Sequence, residues 1–216
     1  MTPKQLLEIL DVTEKLKCNP RHSWTSTGRR ESVAEHSWQL ALMAMLLTDT
    51  FPELNMDRVI RMCLIHDLGE AFTGDIPAFE KTASHEREEE QQLRRWVNAL
   101  PEETREEFRN LLEEMNAQKT PEAKLYKALD KMEAVIQHDQ ADLSTWLPLE
   151  YQLQFTYGAE QVAFSPWLQE LKKSVDQRTT DKIQRECAAL EKDSREKEAP
   201  AGKERPTGKE SPTGTE

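Results

Sequence analysis

Glycine is scarce, with 7 residues in a chain of 216. No Asn-Gly or Asp-Gly pair separates two alternating apolar runs, so the commonest short-hairpin signal is missing. Three cysteines, Cys18, Cys63 and Cys187, are odd in number, widely spaced and without a Cys-x-x-Cys pair. That pattern argues against a disulfide framework and fits free thiols in a reducing compartment. Long apolar runs are also lacking. The longest, Leu40–Leu47, is far short of the about 20 residues that span a bilayer. The first ten residues do not have the apolar core of a signal peptide. These absences predict a cytoplasmic protein with no membrane partner. Basic charge is in deficit, with 29 Lys and Arg against 40 Asp and Glu, a net charge of −11. Binding to a polyanion needs cations against phosphates, which excludes a long nucleic acid as partner. A small phosphate ester in a locally basic pocket is compatible with this balance.

What is present is helical. Hydrophobic residues make up 37%, with much of the charge concentrated near the C-terminus. Leu6, Leu7, Leu10 and Leu16 predict an apolar side for a helix over Pro3–Lys17. A polar loop follows, from Cys18 to Glu31. Ser32-Val33-Ala34-Glu35 is a capping box that opens a second helix, to about Asp49. Val59, Ile60, Cys63, Leu64 and Leu68 predict a third, over Met56–Phe72, closed near Gly74. Further helices are expected over 84–99, from Pro101, over Thr120–Gln140 and from Ser165-Pro166 to Leu190, with loop and a short helix over 142–158. The fold class is all-α: one helical bundle over residues 1–191, of about seven or more helices. Residues 192–216 carry no apolar run and repeat Pro-Thr-Gly segments, the composition of a disordered polar tail.

Three polar intrusions into apolar faces carry chemistry. His36 shares a face with Val33, Leu40, Met43 and Leu47; alone, it is best explained as a core histidine bonded to backbone. Asp130 adjoins the stripe Leu125, Leu129, Met132 and Ile136; alone, it is best explained as a solvated acid. The doublet His66-Asp67 resists that treatment, because neighbours on a helix point about 100° apart and both flanks are apolar. Burying the two side by side costs several kcal/mol unless each is paired or bound to a cation. Glu70, four residues after His66, overlooks the same side one turn on.

In order, the segments ESVAEHSWQLALMA, LIHDLGEAFTGDIP and KALDKMEA resemble the HD-domain metal-dependent phosphohydrolases, and among them the 5'-deoxynucleotidase branch, over residues 4–180. The resemblance implies one divalent ion held by His36, His66, Asp67 and Asp130, with Glu70 catalytic beside it. It implies that Asp75, in the turn Thr73-Gly74-Asp75, helps choose the sugar, that Arg21 and Trp24 lie near the substrate phosphate, and that the protein is a homodimer. The loop from Trp24 to Glu31 is two residues shorter than the family pattern, which keeps Arg29 and Arg30 open as alternatives to Arg21. Lys131, next to Asp130, is either a phosphate contact or a surface lysine paired with a glutamate. Two imidazoles and two carboxylates balance a dication, and mixed N/O ligation suits Mn, Co, Fe, Ni or Zn rather than calcium.

Of the remaining residues, His85 and His138 are expected on solvated faces, His22 is unassigned, and Trp38, Trp96 and Trp167 are expected to pack. No second ligand set is visible, so a single metal is expected. The leading function is hydrolysis of (deoxy)nucleoside 5'-monophosphates. The alternatives are hydrolysis of a nucleoside di- or triphosphate or an alarmone, and a non-catalytic, metal-stabilised interaction module.

Overall fold

A computed structural model describes residues 1–198 of the chain. Its elements are α1 (Pro3–Thr13), α2 (Lys15–Cys18), β1 (Pro20–Trp24), β2 (Arg30–Ser32), α3 (Val33–Leu46), α4 (Met56–Ile65) and α5 (Glu70–Thr73), then α6 (Ala83–Asn98), α7 (Glu102–Ala117), α8 (Pro121–Gln140), α9 (Glu150–Thr156), α10 (Ala159–Val162) and α11 (Pro166–Glu198). A 3₁₀ turn, Leu143–Thr145, precedes α9. The all-α expectation holds.

The centre of the bundle is α3, α4 and α8. Val33, Leu40 and Ala44 from α3, Val59, Met62 and Cys63 from α4, and Leu125, Leu129 and Met132 from α8 have no exposed surface. Each large side chain among them contributes on the order of 1.5–3 kcal/mol by leaving water. The starts of these helices are set locally. Ser32 and Glu35 form the reciprocal capping box on α3. Asn55 accepts from the Arg58 N–H on α4, and Thr120 accepts from the Ala123 N–H on α8.

Several expectations are corrected. The polar loop after α2 contains an antiparallel ribbon, β1 paired with β2, in register Pro20↔Ser32 and Trp24↔Arg30. Its turn is made by Thr25–Arg29, with Gly28 at a φ of 79°, so the hairpin uses a longer loop than the dipeptide signal sought in the sequence. The first helix breaks at Glu14, and only Leu16 of its leucines is buried. Leu6, Leu7 and Leu10 are 45%, 62% and 51% exposed; the amphipathic pattern is real, but among the described residues its apolar side is left open. The third helix stops at Ile65, so His66-Asp67 caps α4 rather than interrupting it. Trp38 is 61% exposed, because it lies two residues, over half a helical turn, from the buried His36. Trp96 does pack, between Phe72 and Phe108, and Trp167 meets Phe51 edge-on. Finally, α11 continues to Glu198, past the end expected at Leu190, through a polar, mostly charged segment. The rest of the expected tail, 199–216, lies outside the described residues.

Candidate metal centre and adjoining cavity

The ends and middles of α3, α4 and α8 bring His36, His66, Asp67 and Asp130 together. The Nε2 atoms of His36 and His66 are 3.1 Å apart. His36 Nε2 lies 3.8 Å from Asp67 Oδ2 and 3.4 Å from Asp130 Oδ1. His66 Nε2 lies 3.0 Å from Asp67 Oδ2 and 3.7 Å from Asp130 Oδ1.

The tautomers decide what this cluster can hold. His36 Nδ1 donates to the Glu133 carboxylate, and His66 Nδ1 donates to the Cys63 carbonyl at 2.9 Å. With Nδ1 donating in each ring, a neutral imidazole turns its lone pair, on Nε2, toward the other. Two lone pairs and two carboxylate oxygens therefore converge with no donor among them. Such a group needs a cation at its centre. In its absence the need is met by a proton: burial and Arg21 oppose a charged His36 ring, but Glu133 and Asp130 outweigh them and push its pKa up to about 9. Asp130 is held far below the ordinary carboxylate range; burial opposes its charge, and Lys127 and Lys131 outweigh burial. Lys127 Nζ lies 2.9 Å and Lys131 Nζ 3.4 Å from Asp130 Oδ2, which leaves Oδ1 turned to the histidines. Asp67 is likewise lowered, burial being outweighed by His66 and His36.

Behind His36 is a buried ionic layer. Arg21 Nη1 donates to Glu31 Oε2 at 2.9 Å and lies 3.5 Å from Glu133 Oε2. Glu31, Glu133 and His36 form a second grouping of potential ligand atoms, but the Arg21 guanidinium already supplies its positive charge. Burial and Glu133 push the Glu31 carboxyl up to about 7, against Arg21.

Glu70, on α5, is 4% exposed, and its Oε2 has no hydrogen-bond partner. Burial, Asp67, Asp75 and Glu89 push its pKa up to about 10. Asp75 follows the Gly74 turn, and burial pushes its pKa up, against the pull of Arg21. Lys131 donates to the Tyr157 hydroxyl at 2.9 Å; it is not a surface lysine paired with a glutamate. Arg21 and Asp75 line a cavity that extends away from the centre between β1, the loop after α5, α8 and α9. Trp24 is not among the lining residues: its ring lies under the Arg30 guanidinium, and its carbonyl accepts from Gln137. Arg29 grips Glu35 with both terminal nitrogens, and Arg30 donates to the His22 carbonyl. Of the three arginines, only Arg21 faces the cavity.

Sequence reasoning missed Glu133, Glu31 and Lys127. Glu133 had a signal, since it follows Asp130 by three residues on the same helix side. His138 is not on a solvated face: its side chain is 12% exposed and stacks on Trp146. His85 is the reciprocal partner of Thr82 in the cap of α6.

Comparison with known proteins gives a consistent set. The family model described as HD domain matches residues 13–172. The human 5'-deoxynucleotidase HDDC2 is 40% identical over 139 residues, 62% of this chain and 67% of that protein. The 5'-deoxynucleotidase hdd1 of Schizosaccharomyces pombe is 31% identical over 140 residues, 61% of this chain and 70% of that protein. A crystal structure from Magnetospirillum magnetotacticum, described as a predicted metal-dependent phosphohydrolase, superposes with a TM-score of 0.69 at 26% identity, covering 84% of this chain and 94% of that one.

Proposed function

This chain belongs to the HD domain family, and from that premise we propose that it is a metal-dependent phosphohydrolase that cleaves deoxynucleoside 5'-monophosphates to deoxynucleoside and phosphate. The observation that carries the reading is the convergence of four acceptors, His36 Nε2, His66 Nε2, Asp67 and Asp130, beside a buried carboxyl, Glu70, that no structural bond uses. We assign those four side chains to one divalent ion of the Mn, Co, Fe, Ni or Zn type. When bound, such an ion supplies Lewis-acid charge for a phosphoryl oxygen and makes water a better nucleophile.

The remaining roles follow from position. Glu133 and the Cys63 carbonyl fix the two imidazoles, so that both rings keep their Nε2 lone pairs inward. Glu70 is a strong proton acceptor whenever it is ionised, and we assign it the proton of the attacking water. The phosphorus–5'-oxygen bond then breaks, and the proton taken up by Glu70 is returned to the 5'-oxygen, which leaves as the deoxynucleoside hydroxyl. Arg21 and Lys131 bring positive charge to the phosphate, and Asp75, which lines the same cavity as Arg21, faces the sugar. Trp24 lies near the phosphate in the family pattern, but here its ring stacks on Arg30, and we assign it to holding the ribbon that carries Arg21.

We also place the protein in the cytoplasm as a homodimer. Free thiols at Cys18 and Cys63 support the first reading, and the exposed leucine face of α1 supports the second. No described helix is long and apolar enough to cross a membrane.

The test is phosphate release from a panel of deoxynucleotides by chelator-free protein supplied with Mn or Co. Inorganic phosphate is the expected product, whereas pyrophosphate or triphosphate would point to the di- or triphosphate alternative. A protein that binds metal but releases nothing from any nucleotide would sink the reading.

A further inference from the structure

The ribbon brings two opposite charges together from its two strands, Arg21 on β1 and Glu31 on β2. Glu31 is 2% exposed. Among the described residues its side chain makes one hydrogen bond, accepted from Arg21 Nη1 at 2.9 Å. No helix end and no loop backbone uses it. A carboxylate buried this deeply is costly unless a partner offsets the burial, and here that partner is a residue that faces the substrate cavity.

The donors of Arg21 divide into two sets. Nη1 is turned to the acidic layer, 2.9 Å from Glu31 Oε2 and 3.5 Å from Glu133 Oε2. Nε and Nη2 make no hydrogen bond among the described residues, and neither is a buried unpaired atom. These nitrogens form one edge of the planar guanidinium, and such an edge can grip a phosphate through two parallel bonds. Glu133 competes for it. Glu133 Oε2 accepts from His36 Nδ1, but Oε1 is buried without a hydrogen-bond partner. A guanidinium this close to a free carboxylate oxygen can close on both oxygens of that carboxylate. The edge now facing the cavity would then be spent on Glu133. Glu31 opposes that closure by holding Nη1 as its own donor.

Resting on the nucleotide reading above, we propose that Glu31 is the positioning residue for Arg21: it keeps the guanidinium from closing on Glu133 and so presents the Nε–Nη2 edge to the substrate phosphate. Glu31 itself touches neither the substrate nor the ion. Without it, Arg21 turns to Glu133 Oε1 and the phosphate loses its two parallel bonds. Glu133 Oε2 can keep its bond to His36 while Oε1 takes up Arg21, so the loss falls on phosphate binding and spares the metal.

The experiment compares the full chain with Glu31→Ala and Glu31→Gln, each loaded with Mn. It measures Kd for inorganic phosphate by calorimetric titration, kcat and KM on dAMP, Mn affinity and melting temperature. In Glu31→Ala the phosphate Kd and the KM are expected to rise about tenfold or more, with kcat and Mn affinity each within about threefold of wild type. Glu31→Gln keeps an acceptor at the same reach without the charge, and both constants should fall between those of the wild type and Glu31→Ala. A lower melting temperature with both constants unchanged overturns the proposal, because Glu31 is then structural only. Loss of Mn together with phosphate also overturns it, by placing Glu31 at the ion. If Glu31→Ala does not fold, Glu31→Gln decides alone: a rise of about threefold or more in both constants supports the proposal, and unchanged constants overturn it. A wild type that binds phosphate but turns over no nucleotide removes the nucleotide reading, and the phosphate titration then decides the role of Glu31 by the same criterion.

Discussion

The two histidines of the centre show how little of a side chain's role lies in its own identity. His36 and His66 are ligand candidates because Glu133 and the Cys63 carbonyl take the protons on the opposite ring nitrogens. Glu133→Gln is therefore expected to weaken metal binding by about 10- to 100-fold while leaving the fold in place, read by calorimetric titration of the chelated protein. Glu70→Gln is expected to lower kcat by about 10²- to 10⁴-fold with metal content unchanged by elemental analysis. If metal is lost along with activity, Glu70 belongs to the ligand set instead. Much of this was legible at the level of single residues. His66-Asp67 stands out from an apolar run, and His36 and Asp130 follow once it is given a cation. Glu133 did not stand out, because a glutamate in a charged helix looks solvated until the neighbouring helix that buries it is known.

Elements were legible where the chain announces its own boundaries. The capping residues Ser32 and Thr120 mark α3 and α8 correctly because a cap is a contact within four residues. Ser32→Ala is expected to cost about 1 kcal/mol in urea unfolding. The β1–β2 ribbon was not legible, since its pairing across Thr25–Arg29 depends on the helices it lies against more than on turn chemistry. The break at Ile65 was missed for a similar reason: the apolar period continues through it to Leu68. Gly158, just ahead of α10, has a φ of 77°, and a Cβ there would lie 2.9 Å from the Lys131 Cβ. Gly158→Ala is expected to destabilise by about 1 kcal/mol or more, and to raise KM for the nucleotide by displacing Lys131 and Tyr157. A loss of stability with KM unchanged would remove Lys131 from the phosphate contacts.

For the molecule as a whole, the buried charges link stability to pH. His36 is pushed up to about 9, Glu31 to about 7 and Glu70 to about 10. A group whose folded pKa is raised stabilises the fold most when protonated, and that contribution fades as pH climbs from its ordinary value to its folded one. Asp67 and Asp130 are shifted downward, and their contribution is already complete above the ordinary carboxylate range. The chelated protein should therefore lose melting temperature steadily between about pH 5 and 9. Bound Mn, which replaces the proton between the histidines, should flatten that slope. Parallel slopes with and without metal would mean that the ion sits elsewhere. The helical class and the negative surface could be read from the sequence, whereas the layer Arg21–Glu31–Glu133 could not, because Glu133 is distant in sequence from the ribbon that carries Arg21 and Glu31 and meets it only in the finished bundle.

That distance has a consequence during synthesis. Glu133 follows His36 by 97 residues. At about 5–20 residues per second, the ribosome takes roughly 5–20 s to deliver the partner that fixes the His36 ring. Until then the emerging chain carries His36, His66 and Asp67 without the helix that shapes them. A nascent chain stalled before α8 should be indifferent to divalent ions, and ion capture should begin only once that helix has cleared the exit tunnel.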